Sequence, residues 1–282
     1  MRNRSKRLFL FAAVALHLFT GPPACLAQSK PVPNAELQQL LKTLKNYSYK
    51  KDFDSALPIA NEAVSKFPAS IEARVARGNV HRELEEDDQA LSDYNWVLKA
   101  QPENVEALYG TARLYFIQDK QEAALAVVNK AIQSGKFKEP RTYMAQDCFE
   151  LKKDVLRHLG RYQEAIAVMT ALLNVAIRHP HWTKDRLELC LKAGQWQQAI
   201  DDATFCLSKM PQFRKSLLKD RSIAYVGLKK YDLAQNDLQA AIKAEPGDRL
   251  LHLALADVYA KAGQPDLAKK ERDCAKKLGD GI

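Results

Sequence analysis

Leu159-Gly160-Arg161-Tyr162-Gln163-Glu164-Ala165-Ile166 joins a glycine turn to the opening of a helix. Glycine takes a left-handed backbone there at little steric cost. The alanine that follows marks a register. Ala56, Ala90, Ala124, Ala165, Ala199, Ala234 and Ala268 each follow a short turn, in steps of 34, 34, 41, 34, 35 and 34 residues. Seven residues after each comes a second, mostly small apolar residue: Ala63, Val97, Ala131, Leu172, Cys206, Ala241 and Ala275. Nine residues before, Tyr47, Tyr115, Leu156, Tyr225 and Tyr259 supply bulk, with His81 and Cys190 as exceptions. Pro68, Pro102, Pro211 and Pro246 close four units at one offset.

Each mark has a physical cause. Two antiparallel helices approach closely only where the side chains at their crossing are small. An aromatic on the first helix fills the volume toward the next unit. Proline ends the second helix because it lacks the amide donor and disfavours helical geometry in the residue before it. A fixed period of this length predicts a stack of helical hairpins that share one core.

The run Gly78…Ala90-x-x-x-Tyr94…Val97…Pro102, together with Leu159–Ile166, resembles the tetratricopeptide-repeat (TPR) family. The resemblance covers about residues 37–282. It implies an all-α, right-handed superhelical solenoid of about seven helix-turn-helix units, at 37–70, 71–104, 105–138, 146–179, 180–213, 215–248 and 249–282. Units 1–3 thus span 37–138 and units 4–7 span 146–282, with an insertion at 139–145. The 41-residue step adds residues around Gly135-Lys136-Phe137-Lys138-Glu139-Pro140 and is expected to lengthen the loop or the first helix of unit four. Lys153 and Leu187 stand where the family usually has Gly or Ala, which predicts looser packing in units four and five. The last helix, with Lys269, Lys270, Glu271, Arg272, Asp273, Lys276 and Lys277, is polar enough to cap the stack.

The leader has a different composition. Arg2, Arg4, Lys6 and Arg7 precede an apolar run from Leu8 to Phe19, broken by Thr20-Gly21-Pro22-Pro23. A bilayer span needs about 20 apolar residues, so this run is short for a membrane anchor and suits the core of a signal peptide. Cys25 and Ala27 sit at the −3 and −1 positions of a cut before Gln28. Residues 1–27 are therefore expected to be a signal peptide, and 28–36 a flexible lead with Asn34 capping the first helix. The chain is expected to be exported, with the periplasm as the favoured destination. Lipoprotein anchoring through Cys25 is the minor alternative, since Pro22 stands where such signals carry Leu.

The chain carries 43 Lys and Arg against 34 Asp and Glu, net +9. Four of those basic residues and no acidic one lie in 1–27, so the remainder has a net charge of +5. Lys and Arg are interleaved with Glu and Asp rather than gathered in a stripe, which argues against a nucleic-acid partner. Export would permit disulfides among Cys148, Cys190, Cys206 and Cys274. Cys190 and Cys206, on the two helices of unit five, read either as a pair or as two free, small core residues.

Enzyme signatures are absent: no G-x-S-x-G, H-E-x-x-H, P-loop or Rossmann glycine pattern occurs. His179-Pro180-His181 reads as a solvated inter-repeat loop rather than a metal site. Glu85-Glu86-Asp87-Asp88 reads as a solvated turn that carries acid into a helix start. No cofactor, catalytic residue, metal ligand or small-molecule site is expected.

The resemblance further implies that first helices line a concave groove for a peptide segment. At the inner positions of units two and three stand Glu72, Val75, Asn79, Arg82, Tyr109, Arg113 and Phe116. Asn79 can both donate to and accept from a peptide backbone, Arg113 can hold a carboxylate with two prongs, and Tyr109 and Phe116 offer flat apolar area. The charges of units four and five (Asp147, Glu150, Asp154, Arg157, Lys184, Asp185, Glu188) are expected to neutralise each other. The family's chaperone-tail clamp is missing, since its positions hold Leu41, Lys45, Ala76, Glu106 and Gly110. The expected function is a non-enzymatic scaffold or adaptor that binds another protein in this groove. A rigid accessory subunit of a cell-envelope assembly or export machine is the first alternative, and a metal-binding or enzymatic protein the second.

Overall fold

The computed structural model describes residues 35–175 and 179–279. The leader, the cut before Gln28 and the cap at Asn34 lie outside these residues. Seven helical hairpins follow one another: α1 (Ala35–Tyr49) with α2 (Phe53–Lys66), α3 (Ile71–Glu83) with α4 (Asp87–Ala100), and α5 (Val105–Ile117) with α6 (Gln121–Ser134). After a loop come α7 (Tyr143–His158) with α8 (Tyr162–Val175), α9 (Pro180–Ala193) with α10 (Trp196–Lys209), α11 (Arg214–Gly227) with α12 (Tyr231–Ala244), and α13 (Arg249–Lys261) with α14 (Pro265–Gly279). The described residues contain no strand.

The register alanines lie at the crossings, all fully or almost fully buried, and so do the seven residues that follow them at the second mark. Several first helices are started by a side-chain cap. Ser70, Asn104 and Thr142 each accept a hydrogen bond from the amide three residues on, at 3.0–3.2 Å, which satisfies a donor the first turn leaves without a partner. The turns inside the hairpins need a left-handed residue. Gly160, Gly194 and Gly263 supply it, but Lys51, Glu85, Asp119 and Lys229 take the same conformation with a side chain attached.

The extra residues of the 41-residue step divide between loop and helix. The loop runs over 135–142, and α7 has 16 residues where α5 has 13. Phe137 folds back against the core and Pro140 is buried, so the loop is packed rather than free. The looseness expected at Leu187 is not found, because that side chain is completely buried in the largest apolar cluster, which spans α5 to α11. Lys153 stays at the surface of the crossing, bound to Asp154 at 3.1 Å and Asp185 at 3.7 Å.

One polar element repeats inside the stack. Arg77 grips Asp93, Arg186 grips Asp202 and Arg221 grips Asp237, each with two guanidinium nitrogens at 2.7–2.8 Å and each pair 16 residues apart. The remaining nitrogen of each arginine reaches back to the preceding hairpin: to Asn61 at 3.3 Å, Thr170 at 3.1 Å and Thr204 at 3.0 Å. A two-pronged bond of this kind fixes direction as well as distance. It ties both helices of one hairpin to the second helix of the hairpin before.

Candidate peptide-binding groove

The first helices touch each other directly, α1 with α3, α3 with α5, α5 with α7 and α9 with α11. Among the described residues, consecutive second helices make no comparable contact. A stack that is closer on one side than on the other must curve, with the first helices on the inside. The inner row loosens between α7 and α9 and between α11 and α13, and each gap holds a cleft of about 200 Å³.

The cleft between α7 and α9 is lined by Lys153, Asp154, Arg157, Asp185, Glu188 and Lys192. Its charges are paired internally: Arg157 with Asp154 at 3.1 Å, Lys184 with Glu188 at 2.6 Å, and Lys153 with both Asp154 and Asp185. The Trp182 indole donates to Glu150 at 3.0 Å. Of the charges expected to cancel in units four and five, Asp154, Arg157, Lys184, Asp185 and Glu188 are paired in this way, and where such pairs are exposed they contribute little stability. The cleft between α11 and α13 is mostly apolar, lined by Ile223, Val226, Leu238, Ala254 and Val258 together with Lys219, Ser222, Asp257 and Lys261.

Asn79 and Arg82 stand on α3, and Tyr109, Arg113 and Phe116 on α5, all half-buried. They do not all stand free. The Tyr94 hydroxyl donates to the Asn79 side-chain oxygen at 2.7 Å, and Arg82 approaches that oxygen at 3.4 Å. Asn79 therefore offers a ligand only its amide donor, not the donor and acceptor together that its residue type suggests. Arg82 is tied to Glu83 at 2.7 Å. Val75, expected in the groove, belongs to the core instead, at 4% exposure.

Arg113 is different. Its guanidinium lies 6.0 Å from the centre of the Tyr109 ring and forms no ion pair among the described residues. Phe116 meets the His158 ring edge to face, with centroids 5.0 Å apart. Asp147 of α7 completes the patch. Burial pushes its carboxyl above the usual range, and the charges of Arg113 and Arg82 pull it back only in part. Burial likewise raises the Tyr109 phenol, again opposed by Arg113. The sequence groups Asp147 with the unit-four charges expected to cancel against unit five, whereas the structure turns it toward Arg113 and Arg82. Its position one turn into α7 was the available signal, since α5 and α7 are neighbours in the inner row.

Tyr94 holds this patch from behind. It is fully buried, wedged between Gly78 and Gly110, and a Cβ on Gly110 would lie 2.4 Å from the ring. Burial pushes its hydroxyl up to about 12, so it remains the proton donor to Asn79.

The remaining candidates sort plainly. The His179 and His181 rings lie 5.7 Å apart, and His179 packs on Trp182 at 5.3 Å. Cys190 and Cys206 are free thiols with separate neighbours, the Gln195 side chain and the Pro180 carbonyl. Burial raises them to about 12 and about 11. No helix among the described residues is long and apolar enough to cross a membrane.

Comparison with known proteins agrees with this geometry. Residues 75–138 and 219–269 match the tetratricopeptide repeat model. DnaJ homolog subfamily C member 3 of Gallus gallus is 25% identical over 275 residues, covering 87% of this chain and 53% of its own length. The chain thus spans about half the length of that relative. A tetratricopeptide repeat protein of Parabacteroides merdae superposes with a TM-score of 0.53 at 18% identity, over 86% of this chain and 93% of its own. PilF of Pseudomonas aeruginosa does so with a TM-score of 0.58 at 16% identity, over 80% and 97%. With the hairpins, the register alanines and the superpositions in agreement, the described residues fold as an all-α solenoid of the tetratricopeptide-repeat type, and two stretches of it match that family's model.

Proposed function

We propose that this protein is a non-enzymatic adaptor that binds a segment of another protein along the inner row of first helices, outside the cytoplasm. The observation that carries the reading is Arg113, a half-buried guanidinium without an ion pair among the described residues, over the Tyr109 ring and one turn before Phe116 on the same helix. A peptide carboxylate there would gain a charge-assisted, two-pronged bond, with the Asn79 amide as a further donor. Asp147 limits the site to ligands that do not crowd a second acid against α7. Repeats of this family mediate protein–protein contacts, and the likeness to a DnaJ homolog is compatible with a protein ligand. The basic-then-apolar leader supports export, with the periplasm as the destination.

A second reading, a rigid accessory subunit of an envelope assembly, is favoured by the arginine ties between hairpins and by the self-neutralised cleft at α7 and α9. One experiment separates the two. Tagged chain from Gln28 onward is used to capture partners from the envelope fraction of the source organism, beside a Tyr109→Ala/Arg113→Glu variant of equal helicity by circular dichroism. The groove reading expects a partner held by the parent and lost by the variant. Equal capture by both would move the contact to the outer face or the 135–142 loop.

A further inference from the structure

His252 on α13 and Glu271 and Cys274 on α14 bring an imidazole, a carboxylate and a thiol to one point of the last described hairpin. Their ligand atoms all lie within 4.8 Å of one another, and no other trio of His, Cys, Asp or Glu among the described residues does so. Glu271 and Cys274 are three residues apart and therefore share a face of α14, the face that meets α13. All three side chains are half-buried, within reach of solvent but not loose in it.

The imidazole is held at both of its nitrogens. Its Nε2 lies 3.1 Å from the Pro246 carbonyl oxygen, a group that can only accept, so this nitrogen carries hydrogen. Its Nδ1 lies 2.7 Å from Glu271 Oε2, which as a carboxylate oxygen also only accepts. A hydrogen on Nδ1 satisfies Glu271 in the structure as it stands, and a metal ion can take that hydrogen's place between the two, with the Cys274 sulfur within 4.8 Å of both as a third ligand atom.

We propose that His252 Nδ1, Glu271 and Cys274 Sγ bind a zinc ion that fastens α13 to α14. A mixed nitrogen, oxygen and sulfur set suits zinc among the divalent ions. The Pro246 carbonyl is the outer partner that fixes a ligating histidine in one tautomer. Zinc with bonds of roughly 2.0–2.3 Å sets its ligands about 3.5 Å apart. Side-chain rotation reaches that spacing as the His–Glu contact opens and the thiol closes. Water takes the fourth position from the solvent side. No short motif marks the site in the sequence, since 19 residues separate His252 from Glu271.

The test is titration of cobalt(II), then zinc(II), into the reduced full-length chain carrying Cys25→Ser. Cys148, Cys190 and Cys206 are fully buried in other hairpins. A thiolate-to-cobalt charge-transfer band is therefore expected to belong to Cys274, with one ion per chain and displacement by zinc. Cys274→Ser is expected to abolish the band, and His252→Ala and Glu271→Gln to weaken zinc binding tenfold or more. A His179→Ala/His181→Ala variant is expected to keep the full signal. Absence of the band in the parent chain, its persistence in Cys274→Ser, unchanged zinc affinity in His252→Ala, or its loss from the His179/His181 variant would each overturn the assignment.

Discussion

One added methyl group at Gly110 is enough to test how the second and third hairpins are joined. Alanine ordinarily gains about 1 kcal/mol over glycine in a helix interior. Here its Cβ would lie 2.4 Å from the Tyr94 ring, and the ring cannot swing aside while its hydroxyl is held by Asn79. Overpacking of this kind costs about 1–3 kcal/mol, so Gly110→Ala is expected to lower stability in urea unfolding. Tyr94→Leu makes room, and adding Gly110→Ala to that variant should cost no more than Tyr94→Leu alone. An additive double variant would show that the ring is not the obstacle. The same tyrosine shows how far the groove could be read from residue types. Asn79, Arg82, Tyr109, Arg113 and Phe116 were identifiable because the repeat register assigns them to the inner face. The loss of the Asn79 acceptor to Tyr94 was not, because it depends on a side chain reaching through from the second helix. Asp147 was misgrouped because proximity between first helices skips a whole helix of sequence.

At the scale of the elements, the arginine–aspartate ties decide how the hairpins are held. Asp93 and Asp202 are almost wholly buried and Asp237 slightly less, but Arg74 reaches Asp93 at 3.4 Å, whereas among the described residues Asp202 is ion-paired only with Arg186, the most buried of the three arginines. Removing one partner of a buried pair leaves a charge without compensation, at about 3–5 kcal/mol. Arg186→Ala is therefore expected to destabilise more than Arg77→Ala or Arg221→Ala in denaturant titration. The Arg186→Met/Asp202→Leu double variant should recover much of the loss. Equal effects at all three arginines would mean that burial is not what sets the cost. The helices themselves were legible because an alanine at the crossing recurs in every unit and a proline closes the second helix in four of the seven. The ties were hidden although their signal was present, an arginine and an aspartate at one register in three units. A charged residue in a helical pattern is ordinarily assigned to solvent, and only the packing shows that these face inward. The His252 cluster was missed for a related reason, since two helices must be folded together before its ligands converge.

Across the whole molecule the apolar core is uneven. Its largest cluster, rich in Leu, Val and Met, runs from α5 to α11, while the buried groups around α1 and α2 are few and mostly alanine. In a stack whose units touch only their neighbours, local stability follows local burial. Hydrogen exchange followed by mass spectrometry is expected to show α1 and α2 exchanging first and α7 to α10 last. Uniform protection along the stack would show that the units open together. The arginine ties have a mechanical consequence as well. They rivet the first hairpin to the second, the fourth to the fifth and the fifth to the sixth, and the Tyr94 wedge locks the second to the third. The joints between α6 and α7 and between α12 and α13 have neither rivet nor wedge. Pulled from its two ends, the solenoid is expected to yield at these two coils first, and one of them lies beside the patch of Tyr109, Arg113 and Asp147. A ligand lying across that coil acts as a splint, and tension on the molecule becomes a force that works against its binding.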